Sequence, residues 1–258
     1  MGARALLYRL YERRLAADLR RRGGLPRHVG VIIDGNRRWA RQLGMDSVAG
    51  HRRGADQIDL LLAWAHELGI PVVTLWLLST ENLLRRHPDE LAELLAIIER
   101  KVLQLARDAG PDGYRIVPVG ELDELPERTR ARLLEAEEVS RAHTGGVLQV
   151  AVGYGGREEI AEAVGRLLGE YAEKGIDLHD AARRLTPDEI ARHLYTAGMP
   201  DPDLIIRTSG EIRLSGFLLW QSAHSEYYFA DAYWPAFRKV DFLRALRSYA
   251  QRQRRFGE

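Results

Sequence analysis

From residue 29 onward, short uninterrupted apolar runs alternate with longer stretches whose apolar positions recur every three or four residues. The runs at 29–33, 72–78, 114–119, 147–152 and 204–206 read as strands, and the stretches at 54–68, 88–109, 126–142 and 158–170 as helices. Strands that lack a polar alternate position are those buried on both faces, so the pattern predicts an α/β domain: a central, mostly parallel sheet flanked by helices. Thr186-Pro187-Asp188-Glu189 marks a further helix start, with a Thr cap, Pro in the first turn and Glu three residues on. Ahead of this series, Leu6, Leu7, Leu10, Leu15 and Leu19 fall at near-helical spacing among arginines. That is an amphipathic helix, and Gly23-Gly24 and Pro26 end it. No Gly/Ser linker or internal repeat divides the rest, so residues 1–24 read as a helical extension and 25–258 as one domain.

Length and composition fit that plan without adding a function. The chain has 258 residues, 45% hydrophobic and 29% charged, with a formal net charge of +1, which is ordinary for a globular protein and carries no global polyanion-binding signature. Absence of cysteine excludes disulfides, thiolate metal sites and cysteine nucleophiles, and agrees with a reducing cytosol. No apolar run approaches the roughly 20 residues that span a bilayer. The expected location is cytoplasmic, with the N-terminal helix lying on a membrane surface, on its own domain or on a partner subunit.

Chemistry concentrates just after the apolar runs, where an open parallel sheet gathers its ligands. Asp34-Gly35-Asn36-Arg37-Arg38-Trp39 follows the first run. Gly35 permits a tight turn, the segment after it can open a helix whose N–H groups face an anion, Asp34 suits a hard cation and Arg38 a phosphate oxygen. A surface Asp-Gly turn with solvated arginines fits the same residues. Ser79-Thr80-Glu81-Asn82 follows the second run, with Arg85 behind it, and Gly153-Tyr154-Gly155-Gly156-Arg157 follows a later one. After the last run, Arg207 and Arg213 offer forked donors and Ser215 a hydroxyl, a diphosphate clamp or a set of ion pairs. Glu226, among aromatic residues, needs a partner, either magnesium or an arginine. His51 reads as opening a helix, in reach of an anion; no histidine pair has zinc spacing. Leu91, Leu94, Leu95, Ile98, Val102 and Leu105 repeat at helical spacing, as core or as the wall of an apolar cleft.

Together, Asp34 to Ala40, Ser79 to Asn82, Gly153 to Arg157 and Arg207 to Ser215 resemble, in order and spacing, the cis-prenyltransferase or undecaprenyl diphosphate synthase-like family. Residues 7–12 and 214–222 are similar to its short-chain Z-farnesyl diphosphate synthases. The resemblance implies the fold of that family and a prenyl transfer that joins isopentenyl diphosphate to an allylic diphosphate. It implies that Asp34 is the essential acid and holds Mg2+ with Glu226, and that Gly35, Arg37 and Arg38 form the phosphate loop. Asn36, Arg38 and Arg85 would steer the primer, and Arg207, Arg213 and Ser215 would bind isopentenyl diphosphate. His51 would stand near the leaving group, Asn82 would serve catalysis, Glu90 would affect activity, and Trp39, Ser79 and Glu81 would belong to the substrate site. It also implies a homodimer whose C-terminal residues reach the neighbouring site.

Long-chain relatives often carry a small residue at the position of Leu77, phenylalanine at Leu78, tryptophan at Leu83 and histidine at Ile212, and Arg86-His87 lengthens the loop before Pro88. Leu77 and Leu78 are therefore the chain-length positions. A bulky Leu77 stops growth early, and Z,E-farnesyl diphosphate made from geranyl diphosphate is the expected product. Competing expectations are a medium- or long-chain Z-polyprenyl diphosphate synthase, a phosphatase with Asp34 as nucleophile, a noncatalytic prenyltransferase partner, and nucleic-acid binding through residues 20–22 and 252–255. The last is disfavoured because the clusters are short.

Overall fold

The computed structural model describes residues 3–252. Its sheet runs in the order β3 (Tyr114–Val119), β4 (Gly146–Tyr154), β2 (Val72–Ser79), β1 (His28–Ile32), β5 (Leu204–Arg207) and β6 (Glu226–Phe229), and every neighbouring pair is parallel. The helices are α1 (Ala3–Arg22), α2 (Asn36–Gln42), α3 (Ser47–Glu67), α4 (Thr80–Arg85), α5 (Pro88–Asp108), α6 (Glu127–Ser140), α7 (Gly156–Glu173), α8 (Leu178–Arg184), α9 (Pro187–Ala191) and α10 (Lys239–Gln251).

Continuous apolar strands follow from burial on two sides. Val29, Val31, Val73, Leu75, Leu204 and Ile206 join a large core with Ile58, Leu61, Leu95, Ile98 and Leu243, whereas the intervening Ile32, Ala151 and Ile205 pack with Phe217 and Leu218 on the opposite face. From β1 the chain crosses to β2 on one side, and from β5 to β6 on the other. The carboxyl ends of β1 and β5 thus form a switch point, where a crevice opens.

Several elements depart from the sequence reading. Helix α3 starts at Ser47 rather than at 54, because the Asp46 side chain accepts the Ala49 N–H at 2.7 Å and caps it there. His51 is therefore inside the helix and does not open it. Ser79 similarly accepts the Asn82 N–H at 3.1 Å and starts the six-residue α4, which the motif's polarity concealed. Thr186 caps α9 by accepting the Glu189 N–H at 3.3 Å, as its sequence predicts. The aromatic segment at 226–229 is the edge strand β6, too short to show a period. In α1, Leu15, Ala16 and Leu19 belong to the main core, while Leu10 is exposed, so the predicted stripe is buried only in part and against its own domain. Leu6 and Leu7 fall outside the described side chains, and Arg254 and Arg255 outside the described residues. Among the described residues no helix is long and apolar enough to cross a membrane.

Candidate functional site: two cavities that share Asp34

Asp34 ends the chain segment after β1, beside the last residue of β5, so strand pairing alone brings it to Arg207. Arg207 Nη2 donates to Asp34 Oδ2 at 2.8 Å, and Arg38 Nη2, one helical turn on, donates to Oδ1 at 3.1 Å. Backbone contacts lock the acid in place: its N–H meets the Thr208 hydroxyl at 2.9 Å, and the Trp234 N–H donates to its carbonyl at 3.0 Å. Burial pushes the Asp34 carboxyl up, but hydrogen bonds from Arg207 and Ser209 and the charges of Arg38 and Arg207 outweigh that and hold it below its ordinary range. It is a carboxylate at neutral pH, with its oxygens engaged by cations.

Local backbone geometry builds the loop around it. Gly35 has φ +99°, and a Cβ there would lie 2.5 Å from the Tyr233 ring, so both the turn and the close approach require glycine. Gly50 and Gly54 let α3 press against the start of α2: a Cβ at Gly50 would meet the Asn36 carbonyl oxygen at 2.3 Å, and one at Gly54 the Asn36 Oδ1 at 2.4 Å. His51, between these glycines, lines the same cavity as Arg37 and Arg38. Arg38 also donates to Ser209 Oγ at 2.8 Å and to Glu211 Oε1 at 2.9 Å, and Glu211 in turn accepts from Arg213. Arg207 Nη1 reaches Ser215 Oγ at 3.0 Å and the Arg213 carbonyl.

Two cavities open on this framework. The first, about 450 Å³, runs from Asp34, Gly35, Asn36, Arg37, Arg38, His51 and Arg86 at one end to Ile58, Leu77, Leu94, Ile97 and Ile98 at the other. It is a charged mouth over an apolar pit. The second, about 580 Å³, is lined by Arg207, Arg213, Ser215, Ser79, Glu81 and the start of α7 at Gly156 and Arg157, with Trp76, Tyr154 and Leu219 as apolar wall. Asp34, Leu77, Asn82 and Arg213 line both. Leu77 stands in the wall because the β2–β4 register shifts between Trp76 and Leu78, a bulge of the kind that re-aims a side chain. Leu78, 2% exposed, is at once core and lining of the second cavity. The predicted stripe of α5 is therefore both things at once: Leu95 and Val102 are core, and Leu94 and Ile98 are also pit wall.

Three sequence expectations fall elsewhere. Arg85 turns to solvent and pairs with the exposed Glu81 at 2.8 Å; its neighbour Arg86, nine-tenths buried, faces the mouth and donates to Glu90 at 2.7 Å and to His51 Nε2 at 3.3 Å. The inward position is thus Arg86, the residue that follows the last turn of α4. Trp39 lines neither cavity. Glu226 stands level with Leu204, at the amino end of the strands, whereas Asp34 and Arg207 lie at the carboxyl end. Its partner in the chain is Arg252, so the arginine alternative is the one observed. His51 differs in kind. Burial, then the charges of Arg86 and Arg37, depress its imidazole to about 4, so at neutral pH it is uncharged and accepts from Arg86 instead of gripping an anion itself.

An acid shared by two cavities that both hold arginines, at a sheet's switch point, suits an α/β enzyme that handles anionic groups. The prenyltransferase family model, that of undecaprenyl diphosphate synthase, matches residues 32–257, and the chain belongs to that family. It is 59% identical over 252 residues to a (2Z,6E)-farnesyl diphosphate synthase of Thermobifida fusca, covering 97% of each chain. A short-chain Z-isoprenyl diphosphate synthase of Mycobacterium leprae is 51% identical, over 98% of this chain and 96% of that one. A crystal structure of lavandulyl diphosphate synthase from Lavandula x intermedia, in complex with dimethylallyl diphosphate, superposes with a TM-score of 0.83 at 36% identity, covering 91% of this chain and 99% of that one.

Proposed function

We propose that the protein is a short-chain cis-prenyltransferase that condenses isopentenyl diphosphate with geranyl diphosphate, giving Z,E-farnesyl diphosphate and diphosphate. The observation that carries this reading is the pair of cavities meeting at Asp34, one holding Arg37, Arg38 and Arg86 together with Ile58, Leu94, Ile97 and Ile98, the other Arg207, Arg213 and Ser215. The substrate with the longer tail belongs in that first cavity, its head group at Arg37, Arg38 and Arg86. Isopentenyl diphosphate, with its short tail, belongs with Arg207, Arg213 and Ser215 in the second.

The arrangement suits an ionisation followed by an attack. As the allylic carbon–oxygen bond breaks, its electrons pass to the departing diphosphate, and guanidinium groups already fixed by Glu211, Ser209 and Glu90 stabilise that growing charge without reorganising. The isopentenyl double bond then attacks the cationic carbon, and loss of one isopentenyl proton to an oxygen of the released diphosphate closes the new double bond. Asn82, which lines both cavities, positions the reacting ends and is not the base.

Magnesium is part of this reading. Among the described residues no group of three or more His, Cys, Asp or Glu gathers to cage a metal, which fits an ion held through one carboxylate and substrate phosphates. Asp34, a low-pKa oxygen donor at the meeting of the cavities, is the residue to hold it, and its oxygens keep lone pairs beyond those the two arginines use. Bound there, magnesium would neutralise charge developing on diphosphate. A homodimer and a cytoplasmic location complete the proposal, the first checked by light scattering of the purified protein.

The reading is tested by incubating the purified protein with isopentenyl diphosphate, magnesium and, in turn, dimethylallyl, geranyl or farnesyl diphosphate, then sizing the dephosphorylated alcohols. Z,E-farnesol from geranyl diphosphate is expected. Predominantly long polyprenols would favour the long-chain alternative, and phosphate release without an isopentenyl acceptor the phosphatase.

A further inference from the structure

The apolar stretch of the first cavity's lining includes a charge. Leu94, Ile97 and Ile98 of α5 form part of it, and one turn further along the same face stands Lys101. At 1.5 Å per residue, Lys101 is about 16 Å along the helix from Glu90 at the mouth. A lysine at that depth is unexpected in the wall of a hydrocarbon pocket, and it is only 6% exposed. Its ammonium is satisfied on the far side: Nζ donates to Asp59 Oδ2 of α3 at 2.7 Å and to Gln104 Oε1 at 2.8 Å.

Those two partners line a different space. Asp59 and Gln104 border a third cavity of about 660 Å³, whose walls include Leu62, Leu105, Ile116 and Leu148. Helices α3 and α5 continue from the pit into this cavity: Ile58 faces the one and Asp59 the other. The Lys101 side chain and its two partners therefore stand between two apolar spaces that lie along the same pair of helices.

We propose that the Lys101–Asp59–Gln104 bridge is the floor of the prenyl pit, the element that ends chain growth and closes off the third cavity. This rests on the prenyltransferase reading above. A tail one isoprene unit longer has to displace the lysine stem, and the ammonium cannot follow it into hydrocarbon without losing its carboxylate and its amide oxygen. The floor is separate from Leu77, which stands in the wall on β2. Asp59 keeps 42% of its side chain exposed, so removing Lys101 leaves no buried unpaired acid and the variants should fold.

The test compares wild type, Lys101→Ala, Lys101→Met and Lys101→Arg with geranyl and isopentenyl diphosphates, sizing the alcohols and recording thermal melting. Lys101→Ala should raise the ratio of longer products to farnesyl by about tenfold, the factor that about 1.4 kcal/mol of relieved overpacking represents. Lys101→Met keeps the bulk but loses both tethers, so its flexible chain yields and products should again lengthen, to a smaller degree; it decides the matter if the alanine variant does not fold. Lys101→Arg should keep the wild-type distribution. Wild-type farnesyl synthesis with unchanged lengths in both Lys101→Ala and Lys101→Met would overturn the floor alone, whereas a wild type that makes no prenyl product would remove the functional reading and the floor with it.

Discussion

Asp34 is fixed by two arginines and two backbone contacts, and it touches both cavities. Asp34→Ala should lower turnover by at least about a hundredfold, the scale of losing a preorganised charge-handling group; near-normal rates in a steady-state assay would remove its role. Arg85 and Arg86 give a sharper contrast. Arg86→Ala deletes a buried donor at the mouth and should cost about 1.5–3 kcal/mol in allylic binding, while Arg85→Ala breaks only an exposed pair and should change little. His51 links the mouth to pH. Its folded pKa of about 4 lies below the ordinary 6.5, so between those values the unfolded chain binds more protons and stability falls as pH drops; above 6.5 its contribution is constant. His28, lowered mainly by its burial, adds to the same slope. Urea midpoints of the substrate-free protein should therefore drop from pH 7 to pH 5, and His51→Asn should flatten part of that drop by about 2 kcal/mol. At this scale the sequence showed that Asp34, Arg38, Arg207, Arg213 and Ser215 gather, since strand ends and cation clusters are local signals. It did not show which of two adjacent arginines faces inward or that His51 is neutral, because a helix's phase and a group's burial are tertiary facts.

Elements place these residues through close approach. Gly50 and Gly54 bring α3 onto the Asn36 end of α2, so Gly50→Ala should push a methyl into a backbone carbonyl, destabilise the fold by about 1–3 kcal/mol and lower activity with it. Denaturant melts and rate measurements on that one variant check both; a fully active, equally stable Gly50→Ala protein would contradict the packing argument. The long strands and helices were legible because burial on two faces and helical periodicity leave plain patterns. The short pieces were not. Helix α4 is six residues inside a polar motif, and β6 is four residues at the sheet edge with every side chain half-buried, so neither displays a period. Missing β6 hid its parallel pairing with β5, which is what carries Glu226 to the end of the sheet away from Asp34.

At the scale of the molecule, the described ends of the chain are tied to the domain. Leu15, Ala16 and Leu19 of α1 enter the core, Arg20 pairs with Glu67, Arg21 with Asp18 and Arg252 with Glu226. An all-parallel sheet with a switch point between β1 and β5 puts four sequence motifs on one rim, and two cavities open there. The parallel architecture and the rim were readable from the chain, and the resemblance split the rim's residues between two substrates; which side chains face each cavity was not readable, because it depends on the bulge at Leu77 and the phase of α4. That division is the central claim, and calorimetric titration tests it most directly, using isopentenyl diphosphate and a non-cleavable geranyl thiodiphosphate against wild type, Arg86→Ala and Ser215→Ala. Arg86→Ala should weaken the geranyl analogue at least about tenfold and spare isopentenyl diphosphate, and Ser215→Ala should do the reverse to a lesser degree. Equal losses for both ligands in both variants would mean one shared site and would contradict the account.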